Sequence, residues 1–173
     1  MLNEILKHNK EFVKNYDGEK LSHIPQKHIA ILTCMDCRLT GFLENAIGIG
    51  RGDAKIIRNA GNTIVGLDAI RSIAAATINL ECEEVYVIGH TDCGMVTDDK
   101  DAIIKRMLNK GIKQEDIDKI DVLDWLGTIE DEEINVIESV KLIRNSPFIP
   151  KSVPIYGLMI DIVTGELKVV IEE

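Results

Sequence analysis

The sequence predicts an α/β protein with a mostly parallel central sheet that is flanked by helices and ends in an antiparallel C-terminal edge strand. Two observations carry this prediction. Short apolar runs, bounded by turn residues, alternate along the chain with longer segments of helical periodicity. The last two runs, 155–162 and 167–171, flank the turn Val163-Thr164-Gly165-Glu166, which is the pattern of a hairpin.

The first element is a predicted helix over residues 2–16. It has one apolar stripe among charged residues, formed by Leu2, Ile5, Leu6, Phe12 and Val13. Such a stripe must be covered, either by the core of the same chain or by a neighbouring subunit.

The remaining elements follow from the same patterns. Three further strands are predicted, at 27–33, 54–58 and 85–88. Four further helices are predicted: 40–46 with Thr40 as cap, 63–80, a helix from Thr97 or Asp98 to 108, and 131–144. The acidic stretch 113–130, which contains the only tryptophan, is expected to be irregular.

Length and charge restrict the classes of function. The 173 residues indicate one domain, 1–173, with an N-terminal helical arm at about 1–20. The net charge of −9 argues against nucleic acid and anionic membrane surfaces as partners. The start Met1-Leu2-Asn3-Glu4 lacks the features of a signal peptide, and no apolar run would span a bilayer, so we expect a cytoplasmic protein.

Two clusters of chemically reactive residues follow predicted strands. Cys34-Met35-Asp36-Cys37-Arg38 comes after the apolar run 29–32, and His90-Thr91-Asp92-Cys93-Gly94 comes after 85–88. Ligands bind at the carboxyl ends of strands in open α/β sheets. Thiols and an imidazole on two such ends predict a metal ion held between them.

A catalytic zinc site is one hypothesis. Cys34, His90 and Cys93 would supply three ligands and leave the fourth position open for water. An ionised Asp36 only accepts hydrogen bonds, so it could orient that water, and Arg38 could hold the carboxylate in a two-point contact. Cys93 and Gly94 lie near an expected helix start, whose dipole would favour the thiolate form of Cys93.

Other interpretations of the same residues stay open. Cys34 and Cys37 form a Cys-x-x-Cys pair, which could be a redox dithiol. With His90 and Cys93 the same pair could form a closed, structural Cys3His zinc site. Cysteines are also frequently buried as simple core residues, and Cys82 is expected to be a residue at a helix end.

The two clusters together resemble the Cys-x-Asp-x-Arg and His-x-x-Cys signature of β-carbonic anhydrases. The similarity covers most of the chain, since Arg58-Asn59-Ala60-Gly61 resembles the family's Arg-Asn turn and Tyr156-Gly157 to Gly165 its C-terminal segment. The short length of the chain and the presence of Met95 after Cys93-Gly94 are features in which it resembles the small archaeal-type branch.

This resemblance implies a zinc lyase, carbonate dehydratase, which interconverts carbon dioxide and bicarbonate with one Zn²⁺ per chain. It implies Cys34, His90 and Cys93 as zinc ligands, and Asp36 and Arg38 as the catalytic pair. It also implies a homodimer, or a multiple of dimers, with the N-terminal helix on the partner. Carbonyl sulfide or carbon disulfide hydrolysis by the same residues is an alternative, and a structural zinc or interaction module is the non-enzymatic one.

Overall fold

The computed structural model describes residues 1–97 and 99–173, and one sheet lies at its centre. Its strands are β1 (Ile29–Cys34), β2 (Ala54–Asn59), β3 (Glu84–His90), β4 (Ile155–Ile160) and β5 (Leu167–Glu172). The spatial order is β2-β1-β3-β4-β5, in which every pairing is parallel except the antiparallel pair β4–β5. The predicted fold class is therefore confirmed.

Seven α-helices accompany the sheet in the described residues. They are α1 (Leu2–Asn15), α2 (Phe42–Ala46), α3 (Asp68–Asn79), α4 (Lys100–Asn109), α5 (Gln114–Ile117), α6 (Val122–Leu126) and α7 (Glu132–Asn145). Two short 3₁₀ turns accompany the strand ends: Cys37–Leu39 begins two residues after β1, and Ala60–Asn62 directly follows β2. Both turns lie at the carboxyl edge of the sheet.

Strands β1, β3 and β4 are largely buried on both faces, as is typical of continuous apolar runs. Alternate side chains, such as Ala30 and Leu32 of β1, pack against α3 and α7 on one face. The intervening side chains, such as Ile31, pack on the other face against Leu39 and Leu43 from the segment after β1. This packing fixes the positions of the strand ends that carry the two reactive clusters.

The predicted helix over 63–80 begins five residues later than expected, at Asp68. Residue Gly66 explains the difference, because its φ of +70° is incompatible with a right-handed helix. Thr63 has an extended backbone and caps the 3₁₀ turn that precedes it. The helix ends close to the predicted boundary.

Two other local predictions were wrong. Thr40 does not cap α2; Gly41 occupies that position, and its N–H donates to the Glu44 carboxylate at 2.9 Å. The stretch 113–130 is not irregular, because it contains α5 and α6, with the Asp121 carboxylate accepting N–H groups at the start of α6.

The helix predicted from Thr97 or Asp98 begins slightly later than expected. It is α4, which starts at Lys100 and is capped by Asp99, whose carboxylate accepts the N–H of Ala102. The cap predicted at Asp98 lies outside the described residues. Because α4 starts seven residues after Cys93, its dipole does not explain a thiolate there.

The first helix, α1, contributes no buried residue to the described structure. Its apolar stripe stays exposed, with accessible fractions of 57% for Ile5 and 58% for Phe12. The structure therefore does not show the first of the two alternatives, in which the core of the same chain covers the α1 stripe. Among the described helices, none has the length and apolar character to cross a bilayer.

Gly89 lies where β3 packs against α7, and we expect Gly89→Ala to destabilise the fold. An added Cβ would lie 2.5 Å from Val136 Cγ2 and 2.8 Å from Met159 Sδ. Overpacking of this kind costs about 1–3 kcal/mol. Urea unfolding of the zinc-free protein measures the loss, with Gly94→Ala as the control because its Cβ would meet nothing within 4 Å. Equal losses in both variants would contradict this packing.

Candidate active site

The two reactive clusters meet because their strands are neighbours. Cys34 is the last residue of β1 and His90 is the last residue of β3, and these strands pair in parallel with Thr33 opposite Ile88. Cys93 follows in the turn after β3 and folds back toward Cys34. The carboxyl edge of the sheet thus holds all three side chains, as expected for an open α/β fold.

These three side chains form a compact cluster that could hold a metal ion. The ligand atoms of Cys34, His90 and Cys93 all lie within 4.8 Å of one another, and all three residues are buried. The two Sγ atoms are 3.9 Å apart. Two thiolates at the usual Zn–S length of about 2.3 Å in a tetrahedron would be about 3.8 Å apart, so the observed separation suits zinc.

The imidazole of His90 supports the same interpretation. Its Nε2 atom is buried and has no hydrogen-bond partner among the described residues. Leaving a buried polar atom unpaired costs free energy, so a native site of this kind calls for a further partner. A cation bound by the two sulfurs would supply it.

Thr91 fixes the tautomer that makes Nε2 a ligand. The carbonyl oxygen of Thr91 lies 2.9 Å from His90 Nδ1 and can only accept, so Nδ1 carries the proton and Nε2 keeps its lone pair. Thr91 is itself held by β4, because its N–H donates to Ile160 O and its hydroxyl accepts the N–H of Ile162 at 3.0 Å.

The electrostatics of the cluster favour a thiolate at Cys34. A hydrogen bond from the Cys93 thiol lowers the pKa of Cys34 well below its ordinary value, and the N–H groups of Asp36 and Gly61 add to this effect while burial opposes it. The Cys34 thiolate raises the pKa of Cys93 in turn. These opposite shifts favour one thiolate beside one thiol, and a metal ion bound to both sulfurs would displace the remaining proton.

Gly61, in the turn after β2, has a backbone conformation that residues other than glycine rarely adopt. Its φ is +68°, and an added Cβ would lie 3.2 Å from Met95 Cβ. Glycine is therefore the residue that fits this close approach of the turn after β2 to the cluster.

Asp36 and Arg38 form a two-point ion pair beside the cluster. Arg38 donates from Nε to Asp36 Oδ1 at 3.0 Å and from Nη2 to Asp36 Oδ2 at 2.8 Å. These bonds, together with the N–H of Arg38, lower the pKa of Asp36 to about 2. Asp36 Oδ2 lies 3.9 Å from His90 Nε2, so an ionised, acceptor-only carboxylate faces the cluster of Cys34, His90 and Cys93.

The other two cysteines lie apart from this site. Cys37 is exposed at the start of a 3₁₀ turn and does not belong to the cluster formed by Cys34, His90 and Cys93. Cys82 is buried in the core beside the amino end of β3. The described geometry therefore gives no support to a closed Cys3His site or to a dithiol between Cys34 and Cys37.

Sequence reasoning missed two residues that contact the site. Glu132, the first residue of α7, accepts the N–H of Cys93 at 3.2 Å, and Asp92 contacts Arg38. The contact of Glu132 spans 39 residues, and no local pattern signals it. Asp92 lies inside the second cluster, but its partner is 54 residues away in the first.

Comparison with known proteins agrees with this geometry. Residues 29–167 match the family described as carbonic anhydrase. The crystal structure of β-carbonic anhydrase isoform I from Trichomonas vaginalis superposes with a TM-score of 0.93 at 40% identity, covering 99% of this chain and 97% of that one.

Curated sequences show the same relationship. "Beta-carbonic anhydrase 1" of Mycobacterium tuberculosis is 33% identical over 95% of this chain and 94% of its own length. "Carbon disulfide hydrolase" of an Acidianus strain is 31% identical over 97% of this chain and 90% of its own. With the family match spanning most of the sequence, the chain belongs to the β-carbonic anhydrase family.

Proposed function

We propose that this chain is a zinc-dependent carbonic anhydrase that catalyses the reversible hydration of carbon dioxide to bicarbonate and a proton. The observation that carries the proposal is the buried Nε2 of His90, which no described residue pairs with and which lies beside two buried sulfurs and an arginine-held carboxylate. Cys34, His90 and Cys93 would hold one Zn²⁺. Zinc bound there would act as a Lewis acid that makes a water molecule a nucleophile at neutral pH.

In this proposal Asp36 orients the reacting water. Its carboxylate can accept a hydrogen bond but cannot donate one, so a water that donates to Asp36 must turn a lone pair away from it, toward the substrate. Since the pKa of Asp36 is held at about 2, the carboxylate stays ionised across the working pH range. Its orienting role is lost only as pH falls toward that value.

Arg38 is proposed to keep Asp36 in place. The fork of two hydrogen bonds fixes both carboxylate oxygens, whereas a single bond would let the carboxylate rotate. Only 15% of the Asp36 side chain is accessible, so water has little opportunity to replace Arg38. A fixed acceptor is what a reaction that depends on the orientation of water requires.

The test is stopped-flow CO2 hydration by purified protein of known zinc content. We expect hydration activity to rise in proportion to bound zinc, to vanish on chelation and to return when zinc is added back. Circular dichroism should show that the α/β fold largely survives chelation, because a chain of this size buries enough apolar surface without the metal. Unfolding on chelation together with no hydration at any pH would support the structural zinc module instead.

A second candidate substrate is carbon disulfide, with carbonyl sulfide as its close chemical relative. The similarity to carbon disulfide hydrolases, at 31% identity over nearly the whole chain, favours keeping this alternative. Parallel assays with carbon dioxide, carbon disulfide and carbonyl sulfide will identify the preferred substrate. We expect the highest kcat/KM for carbon dioxide, and a higher value for either sulfur compound would replace the proposed substrate.

We further propose that residues 1–173 form one zinc domain that assembles as a homodimer, or a multiple of dimers, through the α1 arm. The support is the apolar stripe of α1, which none of the described residues buries. All four cysteines are free, which suits the reducing cytoplasm as the place of action.

Charge placed on the α1 stripe is expected to weaken the dimer. Ile5→Asp and Phe12→Asp each put a carboxylate where an apolar contact is proposed, and burial of an unpaired charge is costly. Sedimentation velocity should show a shift toward monomer for both variants. Lys7→Asp on the opposite face of the helix is the control and should keep the wild-type distribution. Unchanged assembly in the Ile5 and Phe12 variants would remove α1 from the interface.

A further inference from the structure

Arg38 is held from two sides, and the proposed function uses only one of them. Toward Asp36 it donates from Nε and Nη2. On its other side, Nη1 donates to Asp92 Oδ2 at 2.6 Å and Nη2 donates to the backbone oxygen of Asp92 at 2.7 Å. The guanidinium thus connects the loop after β1 to the loop after β3.

The backbone of Asp92 is in an uncommon conformation that makes this double contact possible. Its φ is +55°, in the left-handed region that non-glycine residues rarely adopt. Aspartate tolerates this region better than most residues, but the conformation still costs free energy. With this φ, the carbonyl oxygen and the carboxylate of one residue both reach the same guanidinium.

Orientation, and not overall stability, is the effect that this contact can exert. The Asp92 side chain is 82% exposed and that of Arg38 is 42% exposed, so solvent screens their attraction. Each Arg38 nitrogen that contacts Asp92 nevertheless has a defined direction, which sets the plane of the guanidinium. That plane in turn determines where Nε and Nη2 meet Asp36.

We propose that Asp92 is a positioning residue that aligns Arg38, and through it Asp36, for the reaction. This inference rests on the proposed function for its catalytic consequence, but the alignment of Arg38 is a property of the chain itself. The loop between His90 and Cys93 would then orient the carboxylate as well as carry two of the three proposed metal ligands.

Asp92→Gly distinguishes the contribution of the Asp92 carboxylate contact from that of the Asp92 backbone carbonyl contact. Glycine adopts positive φ without strain, so the variant keeps the carbonyl contact and removes only the side chain. Glu81→Gly is the matched control, because Glu81 is also left-handed, with a φ of +57°, and precedes β3 at the opposite edge of the sheet. Both variants lose one exposed carboxylate from a left-handed position.

Two measurements test the proposal. In Asp92→Gly we expect kcat for CO2 hydration to fall about two- to fivefold, the range for one exposed charged pair, with KM and zinc content unchanged. The Arg38 Nε–H signal in ¹H–¹⁵N NMR spectra should exchange with water faster than in the wild type. Glu81→Gly should change neither quantity, and Asp92→Gly should cause no further loss of kcat when Arg38 is already alanine.

Unchanged Nε–H exchange in Asp92→Gly would overturn the proposal, and so would an equal loss of kcat in the Arg38→Ala background. If wild-type protein shows no hydration activity, the proposed function fails by itself. The exchange measurement still decides whether Asp92 aligns Arg38, since it does not depend on turnover.

Discussion

Cys34→Ser is expected to lose most of its bound zinc and to hydrate carbon dioxide more than about 100-fold more slowly than the wild type. Even residues that only support a metal ligand are worth roughly 10- to 100-fold, so removal of a ligand should cost at least that much. Serine replaces a soft thiolate, which at Cys34 is stabilised mainly by the Cys93 thiol, with a poor zinc ligand. Metal analysis of the purified variant, beside stopped-flow assays, measures both effects.

Cys37→Ser provides the matched control for this experiment. It makes the same atomic change three residues away, at an exposed position outside the cluster. We expect wild-type zinc content and activity. Metal loss in Cys37→Ser would restore the closed Cys3His and dithiol interpretations, and full zinc with full activity in Cys34→Ser would show that the metal site lies elsewhere.

The centre of the sheet could be predicted from the sequence because strands β1 and β3 are largely buried on both faces. The sequence of a buried parallel strand is a continuous apolar run, such as 85–88 within β3, and the polar residues that follow the run mark the carboxyl end of the strand. The adjacency of β1 and β3 then brings Cys34, His90 and Cys93 together, as expected for ligands on neighbouring strand ends.

Local errors arose where backbone conformation overrides composition. The composition of residues 63–67 predicts helix, but Gly66 has a positive φ, and α3 therefore begins only at Asp68. Likewise, the capping carboxylates of Asp99 and Asp121 determine where α4 and α6 begin, and aspartates are too frequent in this acidic chain to be distinguished by pattern.

The outer part of the site could not be predicted, because its contacts join distant segments. Asp92 reaches Arg38 across 54 residues and Glu132 reaches Cys93 across 39. Periodicity and spacing describe neighbours along the chain, whereas these pairs depend on the register of β1 with β3 and on the placement of α7. A single sequence carries no signal for either.

Asp36→Asn tests the carboxylate, and we expect hydration to slow by about 100-fold while zinc content stays near the wild-type level. The substitution keeps the size of the side chain but gives it an amide that can donate, so the reacting water is no longer turned reliably toward the substrate. The magnitude is at the lower end of the range for loss of a positioned proton acceptor. An Asp36→Asn protein of full activity would show that the carboxylate does not serve the reacting water.

Arg38→Ala should impair the same step by a different route. Without its two hydrogen bonds, Asp36 is free to rotate, and its Oδ2 atom already lies 3.9 Å from His90 Nε2, close enough to enter the metal site and block it. Because the two residues act as one unit, the double variant should be about as slow as the slower single variant. Losses that multiply would mean that Arg38 and Asp36 act independently, so that the arginine does not work by holding the carboxylate. Stopped-flow assays on the three variants at equal zinc content separate these outcomes.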